Sequence, residues 1–433
     1  MLNAIFVALL VGAVATAAYN GSMAAVNKAL FDSARQAVTT ALGLIGTMAL
    51  WLGFFRVLRD AGVMVNISRA LAPVMRWLFP AIPSDHPAIS AMIMNMASNV
   101  LGLGNAATPF GLKAMQELQK LNDNKAVASD SMCLFLAINT AGIAVFPIGW
   151  VAVRASLDSA NPSAILLPSV LATLCSTITA IIVAKFLARR RIFAYERSAA
   201  IFPEGSEVDR GDVDEIEVPE TEDARSWSQW GVALTLLVGA WIAAMITRDL
   251  MFAEGDTWDA AKEIFNTWLM PMLAVAISLF ALSKRVKVYD SLVEGAREGF
   301  QIVVMIIPFL VAILVAVGVF RASGALDLVL AAVEPLTSLI DFPPEALPMA
   351  LIRPLSGQGA LGVLTETLQT YGPDSFIGYL ASVLAGSTET TFYVLALYCG
   401  SIRLRATRYA VFACLAADIG GALAALFWCR VFF

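Results

Sequence analysis

The sequence predicts an all-α, polytopic membrane protein, and three observations support this fold class. Of the 433 residues, 59% are hydrophobic and only 15% are charged, well below the roughly 25% that is usual in a soluble domain. Residues 37–55, 163–186 and 299–320 carry at most one charge over the roughly 20 residues that a helix needs to cross a bilayer. These runs lack the short alternating pattern of about ten residues that marks a membrane β-barrel.

Apolar runs predict about nine transmembrane helices. We place them near residues 2–19, 37–59, 130–153, 163–186, 229–247, 265–283, 299–320, 375–398 and 409–429. Amphipathic stretches, 61–79 and 321–340, follow the second and the seventh of these helices.

Two further stretches, 88–121 and 344–371, are apolar at their ends but polar in their middle. Glycine and proline interrupt them in the sequences NMASNVLGLGNAATPFG and RPLSGQGALG. Irregular backbone at membrane depth is tolerated only where it is buried in protein or lines a cavity. We therefore expect two re-entrant hairpins or discontinuous helices instead of plain crossings.

The distribution of Lys and Arg predicts the orientation. With a cytoplasmic N-terminus and hairpins that do not cross, most of these residues fall in cytoplasmic loops, as the positive-inside rule requires. We therefore expect a multi-pass protein of a bacterial inner (plasma) membrane with its C-terminus outside. The expected domains are a first unit at 1–195, an acidic cytoplasmic linker at 196–228 and a second unit at 229–433.

The two units resemble each other in sequence. FDSARQA (31–37) is similar to YDSLVEG (289–295), and SDSMCLFLAINTAG (129–142) is similar to PDSFIGYLASVLAGSTETT (373–391). Five predicted crossings separate equivalent points, and an odd number gives the units opposite orientations in the membrane. Inverted repeats with broken helices are an architecture of secondary transporters.

Polar residues at predicted membrane depth fall at corresponding places in the two units. The candidates for substrate binding are Asn95, Ser98, Asn99, Asn105, Asn139, Thr140, Arg353, Ser356, Gln358, Ser387, Thr388 and Thr390. Glu389 and Asp418 are the candidates for ion coupling, because a charge at the bilayer centre costs about 2.5–3.5 kcal/mol and needs a function or a partner. For Arg353 the expected partner is Glu389, then Asp418. The alternative is that Arg353 and Glu389 form a purely structural clamp.

The chemistry of these residues suits a small polar solute. Glycines let the backbone approach a ligand closely, and a helix that restarts near residues 356–359 offers free N–H groups at its positive end. Amides and hydroxyls of the first unit supply both donors and acceptors. Trp150, near the end of a predicted crossing, is expected to be an anchor at the membrane interface.

The sequence favours a protein without catalytic residues, metal site or cofactor. It contains a single histidine, and its five cysteines show no C-x-x-C spacing. The expected partners are membrane lipids and a small polar solute, with a proton or a cation as coupling ion and no nucleic acid. A homo-oligomer remains an open alternative.

Long motifs carry a resemblance to a known family. NMASNVLGLGNAATPFGLKAMQELQ (95–119) with LAINTAG resembles spore maturation protein A, and RPLSGQGALG with AGSTETTFYVLALYCG resembles spore maturation protein B. The resemblance implies a fused chain of the nucleoside recognition, or gate, domain family with a transporter-like fold. It also implies a nucleoside-like ligand and, from the family name, a role in spore maturation.

Together these observations predict a transporter that moves a small polar, nucleoside-like solute by alternating access. Two alternatives stay open at this stage. The first is a non-transporting envelope or spore-maturation scaffold that recruits partners through its linker or its amphipathic stretches. The second is a flippase for lipid-linked precursors.

Overall fold

The computed structural model describes residues 2–83, 85–102, 104–195, 228–251 and 257–433, and helices form its regular structure. Apart from Ser228, the predicted linker lies outside the described residues. The helices of the first half are α1 (Leu2–Asn20), α2 (Met23–Asp60), α3 (Val63–Leu78), α4 (Pro87–Val100), α5 (Gly104–Lys120), α6 (Asp130–Ala141), α7 (Ile148–Ser156) and α8 (Leu166–Ala188). Those of the second half are α9 (Gln229–Met251), α10 (Thr257–Ser283), α11 (Val288–Ala322), α12 (Ala325–Thr337), α13 (Leu347–Ile352), α14 (Gly357–Tyr371), α15 (Phe376–Ser387), α16 (Thr391–Ser401) and α17 (Ala410–Phe432).

These helices make the chain an integral, multi-pass membrane protein. Among the described residues, six helical segments are long and apolar enough to cross a bilayer. They are Met23–Asp60, Pro162–Ala188, Gln229–Asp249, Val288–Ala322, Phe376–Ser401 and Ala410–Phe432. Shorter apolar helices, Phe6–Asn20, Asp130–Ala141 and Met270–Ser283, lie at the other three predicted crossings.

The two halves have the same order of elements. In each half a long helix (α2 or α11) is followed by an amphipathic helix (α3 or α12) and by a hairpin of two helices (α4–α5 or α13–α14). A broken helix (α6–α7 or α15–α16) and a final helix (α8 or α17) complete the unit. This order agrees with the similarity between the units that their sequences predict.

The long helices α2 and α11 lie against each other through small residues. A Cβ atom added at Gly299 would lie 2.8 Å from the Cα atom of Ala49, and one at Gly295 would lie 2.8 Å from the Cα atom of Gly53. In a lipid environment, where the hydrophobic effect does not drive helices together, such close backbone contact provides the packing energy. Both helices begin earlier than predicted, at Met23 and Val288.

The segments predicted as single helices at 130–153 and 375–398 are each interrupted, although Phe376–Ser401 as a whole is long and apolar enough to cross a bilayer. Helix α6 ends at Ala141 and is capped by Gly142, whose φ of +53° suits a residue without a Cβ atom, and α7 starts only after Pro147. In the second half, Thr388 and Thr390 have extended backbones between α15 and α16. Each half therefore has two interruptions, one in its hairpin and one in its broken helix.

Reciprocal contacts join the two halves at opposite ends of the broken helices. Arg408, after α16, places Nη1 2.8 Å from Oδ1 of Asp130 at the start of α6. Arg154, in α7, places Nη2 2.9 Å from Oδ1 of Asp374, just before α15. Only 1% of each arginine side chain is exposed. Because the start of each broken helix lies beside the end of the other, the two broken helices run in opposite directions.

The contact between the long helices leads to a first prediction. Gly299→Ala should lower the free energy of unfolding by about 1–3 kcal/mol, because the alanine methyl group would overlap the backbone of α2 and overpack the contact. Gly46→Ala is the matched control, since no atom lies within 4 Å of the added Cβ, and alanine favours a helix. Thermal unfolding of the purified protein in detergent measures both changes. Equal melting temperatures for the two variants would contradict this packing.

The Arg154–Asp374 contact leads to a second prediction, on pH. Burial by itself raises the pKa of Asp374, but hydrogen bonds from Ser159 and the Ala160 N–H, with the charge of Arg154, hold that pKa below its ordinary value. A lowered folded-state pKa stabilises the fold above the unfolded-state value, and this stabilisation is lost as pH falls through the folded-state pKa. Asp374→Asn should therefore lower the melting temperature at pH 7, and the difference from wild type should narrow below about pH 4.

A second aspartate provides the control for this pH series. Asp341 is 87% exposed and lies 3.9 Å from Arg430, so Asp341→Asn should leave the melting temperature unchanged at every pH. A wild-type melting temperature for Asp374→Asn at pH 7 would refute the stabilising role of the Arg154–Asp374 contact.

Candidate functional site

A cavity of about 660 Å³ lies where the interruptions of the two halves meet. Its lining comes from both hairpins and from both broken helices, including Gly102, Pro147, Gly357 and Gly386 next to the interruptions. A volume of this size is typical of a site for a small molecule. The backbone irregularities of the chain thus converge on one concave site.

Arg353, between α13 and α14, is held by protein groups in the wall of the cavity. Its Nε donates to the carbonyl oxygen of Ala385 at 2.7 Å, and its Nη1 donates to Oγ1 of Thr390 at 3.1 Å. Its Nη2 lies 3.5 Å from Oε2 of Glu389, the first of the two predicted partners. The guanidinium also lies 5.6 Å from the ring centre of Trp150. These contacts hold the guanidinium of Arg353 in place, and only 7% of this side chain is exposed.

Glu389 connects the interruptions of the two broken helices. Its N–H donates to the carbonyl oxygen of Thr140 at the end of α6, at 2.8 Å. A Cβ atom on Gly142 would lie 2.5 Å from Cγ of Glu389, so the glycine makes room for this side chain. The Glu389 side chain is 38% exposed, against 7% for Arg353. Its carboxylate is therefore the charged group of the wall that a solute reaches most easily.

Amides and a tyrosine form the opposite part of the wall. Nδ2 of Asn139 donates to Oδ1 of Asn95 at 2.5 Å, and Nδ2 of Asn95 donates to the Ala107 carbonyl oxygen at 2.8 Å. Asn95 also donates to the hydroxyl of Tyr398 at 3.2 Å. Asn139 and Tyr398 line the cavity, whereas Asn95 supports them from behind. This network joins the first hairpin to both broken helices.

Two further groups of the cavity wall suit hydrogen bonding to a ligand. Asn99 is buried, and its Nδ2 has no hydrogen-bond partner within the described part of the chain. A buried donor without a partner costs about 1–3 kcal/mol, which a ligand acceptor would recover. Ser356 caps α14 by accepting the Gly359 N–H at 2.9 Å, so the positive end of this helix lies at the cavity beside Gln358.

The structure brings half of the fourteen predicted site residues together at the cavity. Asn99, Asn139, Arg353, Ser356, Gln358, Thr390 and Glu389 line the cavity. The hydroxyls of Ser98, Thr140 and Ser387 donate to carbonyl groups of their own helices, those of Met94, Ala137 and Leu384. Thr388, between α15 and α16, and Asp418, on α17, belong to a neighbouring cluster. The side chain of Asn105 lies outside the described residues.

The sequence missed the aromatic residues of the site. Trp150, predicted as an interface anchor, lines the cavity together with Phe146, Tyr393 and Tyr398. The prediction is wrong because the interruption at 142–147 moves Trp150 from the end of a crossing to the start of α7. The sequence signal was Pro147 followed by Gly149, which breaks the helix directly before the tryptophan.

The ion pair leads to a third prediction, tested by a double-mutant cycle. Arg353→Met and Glu389→Gln should each lower the thermal stability, because each leaves the other charge without its ionic partner. The double variant should be more stable than the sum of the two changes predicts, by about 0.5–3 kcal/mol.

The exposed pair of Arg35 and Asp32, 3.9 Å apart on α2, is the control cycle and should show a coupling below about 0.5 kcal/mol. Thermal unfolding in lipid nanodiscs measures both cycles. Additive effects for Arg353 and Glu389 would show that the two charges act independently.

Comparisons with known proteins place this site in a family. Residues 41–156 and 303–405, together half of the chain, match the model of the Gate family, described as nucleoside recognition. The N-terminal half is similar to spore maturation protein A of Bacillus subtilis (strain 168), with 43% identity over 191 residues, which are 44% of this chain and 97% of that protein.

The C-terminal half is similar to spore maturation protein B of the same organism. The identity is 47% over 168 residues, which are 38% of this chain and 94% of that protein. No solved structure matches the chain. The chain therefore belongs to the Gate, or nucleoside recognition, family as a membrane protein whose halves are related to spore maturation proteins A and B.

Proposed function

We propose that this protein moves a small polar solute across a bacterial inner membrane by alternating access. The observation that carries the proposal is the cavity at the meeting point of interrupted helices from both halves. Discontinuous helices around a site near the bilayer midplane are the device by which secondary transporters bind solutes. A scaffold protein has no comparable need for an internal polar cavity.

Inverted orientation of the halves is part of this proposal. Its support is the opposite direction of the two broken helices, with Asp130 beside Arg408 at one end and Asp374 beside Arg154 at the other. With a cytoplasmic N-terminus, the first contact lies on the cytoplasmic side and the second outside, together with the C-terminus. The first hairpin then enters from the cytoplasm and the second from the outside.

The proposed ligand is polar, has a flat surface and accepts hydrogen bonds. Trp150 and Tyr398 offer aromatic groups to the cavity, Asn99 offers a donor that is unpaired within the described residues, and Glu389 offers an acceptor. The description of the family makes a nucleoside-like molecule the first candidate. Glu389 and Asp418 are the proposed ion-coupling residues, and Arg353 orients Glu389.

In this mechanism the ligand couples the two halves. The Glu389 N–H already bonds to the Thr140 carbonyl, so the interruptions of both broken helices lie against each other at the cavity wall. A ligand that engages Asn99 of the first half and Glu389 of the second would connect the two hairpins through the same site. Rocking of one half against the other would then expose the ligand to each side in turn.

A ligand screen followed by a transport assay tests the proposed function. Nucleosides and other small polar metabolites are screened for a rise in the melting temperature of the purified full-length protein. A ligand found in this way should stabilise wild type and the control Ser278→Ala, whose hydroxyl bonds to its own helix on α10, away from the cavity. It should stabilise Asn99→Ala and Glu389→Gln at least tenfold more weakly.

The same ligand, radiolabelled, is then offered to proteoliposomes. Wild type and Ser278→Ala should take it up, whereas Glu389→Gln should insert normally but show no uptake. If no member of the screen stabilises the protein, and metabolite levels do not differ between cells that lack it and cells that overproduce it, a scaffold role replaces transport.

A further inference from the structure

Asp418, on the final helix α17, is a buried acid that lies behind the cavity wall. It is 9% exposed, and its Oδ2 accepts a hydrogen bond from Oγ1 of Thr391 at 2.8 Å. Its Oδ1 has no hydrogen-bond partner among the described residues, and none of the ion pairs found in that part of the chain includes Asp418. An unpaired buried carboxylate is strongly destabilising unless something neutralises it.

Threonine side chains of the second broken helix lie beside this carboxylate. Thr388 packs over Gly421, one turn after Asp418, because a Cβ atom at Gly421 would lie 2.8 Å from Cγ2 of Thr388. The hydroxyl hydrogen of Thr391 points to Asp418, which leaves the lone pairs of that hydroxyl free. Helix α15 ends at Ser387, directly before Thr388, so its last carbonyl groups and the negative end of its dipole lie next to this threonine.

The charges around the two broken helices do not balance. Arg353 contributes one positive charge, and Glu389 and Asp418 contribute one negative charge each. The guanidinium hydrogen-bonds to Ala385 and Thr390 and pairs with Glu389, and no ion pair within 4 Å joins it to Asp418 among the described residues. The excess is a single negative charge, which one monovalent cation neutralises, whereas sites for divalent cations collect more carboxylates.

We infer that Asp418, Thr391, Thr388 and carbonyl groups at the end of α15 form a binding site for an alkali cation of the Na⁺ type. Hard cations of this kind take oxygen ligands, which is what the cluster offers. The site lies outside the solute cavity, since neither Asp418 nor Thr391 is part of the lining.

The position of the cation site connects it to the solute site. Four consecutive residues at the second interruption contribute to both sites. Thr388 and Thr391 belong to the cation site, whereas Glu389 and Thr390 line the cavity. A cation that orders this segment would also fix the acceptors of Arg353, so the two sites would favour each other's occupancy. This coupling rests on the proposed function, whereas the binding of the cation does not.

Direct binding of Na⁺ tests the inference without knowledge of the solute. Purified full-length protein is titrated with radioactive ²²Na⁺ in a scintillation proximity assay, in choline chloride at constant ionic strength and pH. Wild type and Asp341→Asn, the exposed acid, should bind with the same saturable curve. Asp418→Asn should lose at least tenfold in affinity, and Thr391→Val, which keeps the shape but removes the hydroxyl, should lose severalfold.

Melting temperatures give a second measurement in case Asp418→Asn does not fold. NaCl should raise the melting temperature of wild type and Thr391→Ser above the value in choline chloride, and should raise that of Thr391→Val less. If wild type shows no saturable Na⁺ binding, or if Thr391→Val and Asp418→Asn bind Na⁺ like wild type, the inference is wrong. If the melting temperature of wild type rises when the pH is lowered but does not respond to Na⁺, Asp418 is a proton carrier. This result would also overturn the proposed Na⁺ site.

The two proposals fail in different ways. The solute screen is run in choline chloride, so it does not depend on Na⁺. If a solute stabilises the protein but the titration shows no Na⁺ binding, the cation site is refuted and the transport proposal stands. Saturable Na⁺ binding that Asp418→Asn abolishes supports the cation site even if no solute in the screen binds.

Discussion

The structure depends on one constraint, which is that backbone groups at membrane depth must find partners inside the protein. Four interruptions in one bundle would expose unpaired N–H and carbonyl groups to lipid if each stood alone. They are placed together instead, so that the Glu389 N–H bonds to Thr140 and the Phe392 N–H bonds to the carbonyl of Pro354. The polar interior of the protein is a consequence of this arrangement.

The two halves contribute different chemistry to the shared site. The second half supplies the charges, Arg353 and Glu389, while the first half supplies the amides of Asn99 and Asn139. This asymmetry is the difference between two units that otherwise repeat the same order of helices. The cavity therefore has charged groups on one side and neutral amides on the other. Such an asymmetric wall suits the selective binding of one polar molecule better than a symmetric wall would.

Buried arginines hold the two halves together at both ends of the broken helices. Arg154 and Arg408 come from different halves, yet each reaches an aspartate at the start of the other half's broken helix. Arg154 also donates to the hydroxyl of Ser159, which in turn donates to Asp374. The cavity lies away from these arginines, and its wall is where the Glu389 N–H joins the two broken helices.

The sequence by itself determined the membrane class, the positions of the apolar segments, the order of the repeated elements and the interruption at RPLSGQGALG, because apolar length and local glycine and proline patterns are properties of short segments. It did not reveal the interruptions at 142–147 and 388–390, since both lie in runs apolar enough to pass for one helix. Only the tertiary structure decided that Trp150 faces the cavity and that Arg408 reaches Asp130, because such contacts depend on how distant helices pack and not on their composition.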